Sequence, residues 1–336
     1  MKYHSKLALL LLIGTLSQVS YSKVKENVER DITENPFEII ESEGFADVNN
    51  SKKEGLTISG GIGPQFIYEY KNEKMWGENK SYQYSPFLGY FSLPDYGFST
   101  TFEIKRAINK WTSKGSSEEQ VNKSWEYEFN PRYYIGYYLG APTDLIGNIT
   151  IMDQDQHGGG TYKEFEYSIG LAQSRKNLYS EIKVGRKTIE VKNKWDDETQ
   201  ETNIYEMTLK PYIQRDKFQY EIELYGLYED YWKSKENWTE SYLELHATPG
   251  IIYDFGGGKK LSFRTELGKK TEKYVKSTRE VDTYYWKATL GYEFMVTENI
   301  AGLIELEYER DSKKPNNSAE EKISIKKVTA ALNYRF

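Results

Sequence analysis

Apolar and polar residues alternate with a period of two in segment after segment of this chain. The clearest case is 243–255, where every second residue is apolar or proline and the residues between them include Glu244 and His246. The pattern recurs over 218–228 and 284–294. Successive side chains of an extended strand point to opposite faces of a sheet. The alternation therefore predicts an all-β protein whose strands have one apolar face and one polar face.

The segment Val328–Phe336 is one more alternating strand, and its apolar face carries Val328, Ala330, Leu332, Tyr334 and Phe336. An exposed apolar strand at a sheet edge pairs with unwanted partners. In a closed barrel the same strand pairs with the first strand and faces lipid. The segment resembles the C-terminal assembly signal of Gram-negative outer-membrane β-barrels. The resemblance implies a closed antiparallel transmembrane β-barrel, with the assembly signal at Leu332, Tyr334 and Phe336.

The N-terminus has the pattern of a secretory signal peptide. Two lysines precede the apolar run Leu7–Ile13, and serines flank Tyr21. The run is too short to span a bilayer as a helix, so we predict cleavage after Ser22. We expect three parts: a signal peptide at 1–22, a periplasmic N-terminal segment at 23–54 that is disordered or enters the lumen, and the barrel at 55–336.

The composition fits a barrel with a wet interior. The chain has no cysteine, so no disulfide holds it together, and 29% of its residues are charged. Its 30 tyrosines argue against disorder, because aromatic rings require burial or a membrane interface. A net charge of -6 gives no support for nucleic-acid binding.

Short and longer connections alternate along the chain, which predicts about 14 strands with both termini in the periplasm. The predicted short turns are Leu93–Asp95, Ala141–Asp144, Ser174–Asn177, Arg215–Lys217, Gly256–Lys259 and Val296–Asn299. The predicted outer loops are Asn72–Lys80, Trp111–Lys123, Asp153–Gly160, Asn193–Thr202, Lys233–Trp238, Lys273–Val281 and Asp311–Glu321. Prolines remove a ladder donor, so we expect bulges or kinks where they interrupt strands: Pro64, Pro86, Pro131, Pro211 and Pro249.

The polar faces are rich in charge, which indicates a solvated lumen and not a packed core. Rings of charged side chains set which ions pass through a channel, and carboxylates predominate toward the outer half. Either the mouth favours cations or neutral solutes over anions, or the charges pair across the wall and keep the lumen solvated. The predicted pore-lining residues are Glu69, Glu126, Glu128, Arg132, Glu164, Glu166, Lys183, Lys210, Glu221, Glu223, Glu244, His246, Arg264, Lys287, Glu305, Glu307, Lys327 and Arg335.

We therefore expect a porin-like outer-membrane channel for passive diffusion of ions and small hydrophilic solutes. The segment 304–311 and the final Tyr-Arg-Phe are similar to acidic-oligosaccharide-specific porins, which implies basic walls, whereas the excess here is acidic. One alternative is a barrel enzyme with a rim site at His157, beside Asp153 and Asp155; His246 beside Glu244 is a possible acid/base pair. Another is an adhesin or structural barrel that acts through its outer loops.

No enzyme activity, cofactor or metal is predicted, since no cysteine–histidine spacing suggests zinc and no Gly-x-Ser-x-Gly elbow is present. The expected partners are outer-membrane lipid, the barrel assembly machinery and small hydrophilic solutes. Nucleic acid is not expected as a partner. We expect the protein to be a monomer or a homotrimer.

Overall fold

The computed structural model describes residues 58–192, 197–233, 239–274, 279–315 and 319–336. The predicted signal peptide and N-terminal segment lie outside the described residues. Within those ranges, no helix has the length and apolar character to cross a membrane. The barrel strands begin at Ser59, a few residues after the predicted start at 55.

Fourteen antiparallel strands form one closed barrel, in which each strand pairs with its neighbours in chain order and the last strand pairs with the first. A single 3-10 turn, Pro94–Tyr96, joins the second strand to the third in the described chain. The predicted fold class and strand number are confirmed. The strands are β1 Ser59–Glu73, β2 Gly77–Leu93, β3 Phe98–Ser113, β4 Glu119–Tyr138, β5 Ala141–Gln156, β6 Gly160–Arg175, β7 Leu178–Lys192, β8 Asp197–Arg215, β9 Phe218–Lys233, β10 Thr239–Gly256, β11 Lys259–Tyr274, β12 Glu280–Thr297, β13 Ile300–Pro315 and β14 Glu321–Arg335.

The pairing of β14 with β1 closes the barrel, as the terminal pattern predicts. The amide of Phe336 donates to the Gly60 carbonyl at 3.0 Å, and the Gly60 amide donates to the Phe336 carbonyl at 3.2 Å. A Cβ at Gly60 would lie 2.7 Å from the Phe336 ring. Glycine at position 60 therefore lets the terminal ring pack against the first strand.

The outer surface of the barrel is apolar, the reverse of a water-soluble protein. Phe66, Leu245 and Leu267 are each more than half exposed, whereas Glu221 and Lys210 are buried. A continuous apolar surface of this kind suits lipid and not water. Aromatic rings stand at both edges of the apolar band, as at the two interfaces of a membrane. Examples are Tyr137, Phe218, Phe255, Tyr292 and Tyr334 at one edge and Tyr82, Trp125, Tyr205, Tyr284 and Trp286 at the other.

We call the end that holds Ser59 and Arg335 the terminal end, and the opposite end the far end. Connections at the terminal end are short, as predicted, but the turn placed at Ala141–Asp144 is wrong. The turn is Leu139–Gly140, with φ of 53° and 76°, and Ala141 already belongs to β5. Two residues with positive φ match the twist of a two-residue hairpin turn. Leucine is not a usual residue at such a position, so the sequence does not indicate this turn.

The far-end connections are shorter than predicted because the strands continue past the apolar band. The loop predicted at Asn72–Lys80 shrinks to residues 74–76, since β1 runs to Glu73 and β2 begins at Gly77. Beyond the band both faces of a hairpin meet water, so the alternation fades in the sequence while the hydrogen-bond ladder persists. The expected bulges occur beside Pro64 and Pro86, where the register shifts.

No bulge forms at Pro131, Pro211 or Pro249, where the sequence predicts a bulge or a kink. Each is paired with the strand before it and is skipped by the strand after it, and the register does not shift at any of the three. A proline lacks only one donor. Each strand therefore loses its pairing with one neighbour at the proline and keeps its register on both sides.

Candidate functional site

All 18 predicted pore-lining residues fall on the barrel's inward face, which alternates along each strand with the exposed apolar residues. Alternation in the sequence thus predicts the orientation of every one of them. The bases Arg132, Lys183, Lys210, Arg264 and Arg335 lie nearer the terminal end. Carboxylates predominate toward the far end, where the inward face carries Glu164, Glu166, Glu229, Glu244, Glu266, Glu307 and Glu309.

Tyrosines hold many of these carboxylates in place. In five strands a phenol hydroxyl donates to a glutamate two residues away on the same inward face: Tyr162 to Glu164, Tyr179 to Glu181, Tyr231 to Glu229, Tyr242 to Glu244 and Tyr274 to Glu272. Residues two apart on a strand share a face, so a Tyr-x-Glu or Glu-x-Tyr spacing was the available sequence signal. None of these tyrosines is among the predicted pore-lining residues.

At the far end of β11, beyond the apolar band, the Tyr274 hydroxyl lies 2.7 Å from Glu272. Burial, together with the Glu272 carboxylate, raises the pKa of Tyr274 to about 12. The phenol is therefore a protonated hydrogen-bond donor at neutral pH.

His246 of β10 is the centre of a cluster of inward side chains. Its Nδ1 lies 3.7 Å from Oε1 of both Glu244 and Glu266, and its Nε2 lies 3.7 Å from Glu223 Oε1. The ring of Tyr225 stacks on the imidazole with centroids 4.6 Å apart. The Glu244–His246 pair that the sequence singles out is thus part of a group drawn from β9, β10 and β11.

Ligand atoms of Glu244, His246 and Glu266 lie within 4.8 Å of one another, so these three residues could hold a metal ion. They also have protein partners. Lys287 Nζ lies 2.6 Å from Glu266 Oε2, and Lys270 Nζ lies 3.8 Å from Glu244 Oε1. The two lysines and the carboxylates thus form an ion-pair network around His246.

Nearer the terminal end, ion pairs connect adjacent strands and also reach across the intervening strand β10. Glu221, whose side chain is 3% exposed, accepts a hydrogen bond of 2.8 Å from Arg264 Nε and lies 3.5 Å from Lys210 Nζ. Arg132 Nε lies 3.5 Å from Asp144 of β5. These contacts agree with the expectation that some of the inward charges pair along the wall.

His157, at which the sequence suggests a rim site, lies at the far end of the barrel. His157 is exposed in the turn between β5 and β6, where its amide donates to Asn122 Oδ1 at 2.8 Å. Asp153 faces outward and lies 3.6 Å from Lys163 Nζ. Across the described ranges, His157 belongs to no group of metal-ligating side chains.

The sequence matches no protein-family model, and no curated protein is detectably similar. Solved structures do match the fold. One is a deletion mutant of the TodX monoaromatic hydrocarbon channel, with a TM-score of 0.50, 7% identity, and coverage of 84% of this chain and 90% of that one. Another is the CymD monoaromatic hydrocarbon channel, with a TM-score of 0.50, 7% identity, and coverage of 83% and 88%. This chain thus has the fold of outer-membrane β-barrels.

Proposed function

We propose that the protein is an outer-membrane channel for ions and small hydrophilic solutes, and that it favours cations over anions. The observation that carries the proposal is the inward face, where carboxylates and phenols predominate toward the far end. Charged rings act on permeating ions at close range. A far end lined by carboxylates raises the local concentration of cations and lowers that of anions.

The orientation follows from the position of the termini. A chain exported through the periplasm keeps both ends of an even-stranded barrel there. The terminal end then faces the periplasm and the acidic far end opens to the outside. The far-end connections at 74–76, 114–118 and 157–159 are too short to fold into the lumen.

A hydrocarbon is not the solute that we propose, although TodX and CymD are described as monoaromatic hydrocarbon channels. At 7% identity the likeness concerns the fold alone. An apolar solute gains nothing from a wall of carboxylates and lysines, whose hydration it would have to displace. Ions and hydrophilic solutes keep their water beside such a wall.

Accessibility of single thiols tests the proposal, because the chain contains no native cysteine. Glu244→Cys places a thiol on the inward face, and the matched control Leu245→Cys places one on the adjacent outward residue, which is 52% exposed. Both variants, and the wild type, are reconstituted in planar bilayers. We expect stepwise conductance from all three and a lasting drop after a charged, water-soluble thiol reagent only for Glu244→Cys. Silence of the wild type at both voltage signs, or equal modification of the two variants, would contradict the proposal.

A further inference from the structure

Three inward side chains of the His246 cluster bring ligand atoms together on two adjacent strands. His246 and Glu244 stand two residues apart on β10, and Glu266 lies on β11. The three side chains are only 11–15% exposed, so the group is sheltered but can be reached from the lumen. In a tetrahedral zinc site two ligand atoms are roughly 3.3 Å apart. The spacing of 3.7 Å from Nδ1 to each carboxylate oxygen is therefore close to the spacing that one ion requires.

The second oxygen of each carboxylate is held by a neighbour. Tyr242 donates to Oε2 of Glu244 and leaves Oε1 turned toward the imidazole. Lys287 lies 2.6 Å from Oε2 of Glu266, whose Oε1 likewise faces the imidazole. Ligating carboxylates in proteins are themselves hydrogen-bonded by outer partners, which fix their orientation. The two glutamates thus each present one oriented oxygen to the same nitrogen.

The other nitrogen of His246 also has a partner. Nε2 lies 3.7 Å from Oε1 of Glu223 on β9, which favours the imidazole tautomer with its proton on Nε2 and a lone pair on Nδ1. The ring of Tyr225 stacks on the imidazole at 4.6 Å and fixes its plane. A ligating histidine usually donates its second N–H to a carboxylate or a carbonyl, which holds the ring and raises its basicity. His246 therefore has the environment of a metal ligand.

We propose that Glu244, His246 and Glu266 bind a divalent transition-metal ion, with zinc as the representative. A fourth donor is in place, since the Tyr285 hydroxyl lies 2.9 Å from Glu244 Oε1 and 3.1 Å from His246 Nδ1. Imidazole suits zinc, nickel and copper, whereas calcium and magnesium prefer sites made of oxygens alone. Lys270, 3.8 Å from the same Glu244 oxygen, is the cation that the ion has to displace. The proposal rests on the geometry of the inward wall and not on conduction.

The test measures zinc binding to the purified protein in neutral detergent by isothermal titration calorimetry. Excess magnesium is present throughout and occupies sites made of carboxylates alone. We expect one saturable zinc site per chain in the wild type, and we expect His246→Gln to weaken it by about tenfold or more, because a ligand is lost. The control His157→Gln removes a histidine that is exposed in the turn between β5 and β6 and should leave binding unchanged. Heat-modifiable migration verifies that each variant is folded.

A second variant keeps every ligand and removes the competing cation. We expect Lys270→Gln to bind zinc about threefold more tightly or better, since the positive charge beside Glu244 opposes the ion. This variant tests the site even where His246→Gln does not fold. No saturable zinc binding by the wild type, unchanged binding by His246→Gln, weaker or unchanged binding by Lys270→Gln, or loss of binding in His157→Gln would each overturn the proposal.

Discussion

The hydroxyl of Tyr285 in β12 donates a hydrogen bond of 2.9 Å to Glu244 in β10, across the intervening strand β11. The same hydroxyl lies 3.1 Å from Nδ1 of His246. The ring passes over Gly268, which is paired in register with both His246 and Tyr285. A Cβ at Gly268 would lie 2.3 Å from the ring carbon Cζ. The missing side chain at position 268 is what lets Tyr285 reach the His246 cluster.

Replacing Gly268 should therefore disturb the cluster. We expect Gly268→Ala to displace the Tyr285 ring and to lower the free energy of unfolding by about 1–3 kcal/mol, the usual cost of overpacking. Urea unfolding of the barrel in lipid vesicles measures this change. The control Gly226→Ala places a Cβ 3.3 Å from the end of the Leu245 side chain, which can move, so its stability should stay close to that of the wild type. Equal stability of the two variants would contradict the close approach at Gly268.

Tyr285→Phe separates the hydroxyl from the ring. The variant keeps the packing over Gly268 but removes the donor to Glu244. We expect a loss of about 1–3 kcal/mol, since the charged acceptor loses a hydrogen bond. The double variant Tyr285→Phe/Glu244→Gln completes a thermodynamic cycle in the same unfolding assay. Strict additivity of the two single changes would show that the hydroxyl and the carboxylate do not interact.

Glu221→Gln should be among the most destabilising polar changes. Its carboxylate lies 2.8 Å from Arg264 and 3.5 Å from Lys210 with 3% of its side chain exposed. Removing one member of a buried ion pair costs about 3–5 kcal/mol. Lys163→Gln, which removes a partner that is 58% exposed from Asp153, should change stability by less than about 1 kcal/mol. Equal unfolding midpoints of the two variants would contradict our account.

The closing pair Phe336–Gly60 should govern barrel formation. Phe336→Ala keeps both backbone hydrogen bonds to Gly60 but loses the ring, whereas deletion of Phe336 loses both. We expect the heat-modifiable folded fraction after refolding in detergent to fall in the order wild type, Phe336→Ala, deletion. Val296→Ala, at a residue that is 53% exposed near the same end, serves as the control and should refold as the wild type does. Normal refolding of the deletion variant would contradict this role.

The alternation of apolar and polar residues was sufficient for the fold class, and the alternation of short and longer connections for the strand number. The pairing of Phe336 with the first strand followed from the same pattern. Alternation also predicted the position of Glu244 beside His246. It could not show that Glu266 and Tyr285 join them, since contacts between strands depend on register.

Other errors also have physical causes. The turn at Leu139 was misplaced because an apolar residue adopts positive φ there. The far ends of the strands extend further than predicted. Beyond the apolar band both faces of a strand meet water, so the sequence there loses its apolar–polar alternation. A bulge or a kink was predicted at Pro131; no bulge forms there, because the strand keeps its register by giving up pairing on one side.

The most direct test of the central claim is the reversal potential of the wild-type channel in a potassium chloride gradient across a planar bilayer. Potassium and chloride have similar mobilities, so the sign of the potential reports the charge preference of the lumen. We predict a potential of the sign that indicates cation preference, reduced toward zero when Glu164, Glu206 and Glu244 are replaced by glutamine. A potential of zero or of the opposite sign for the wild type would contradict the account.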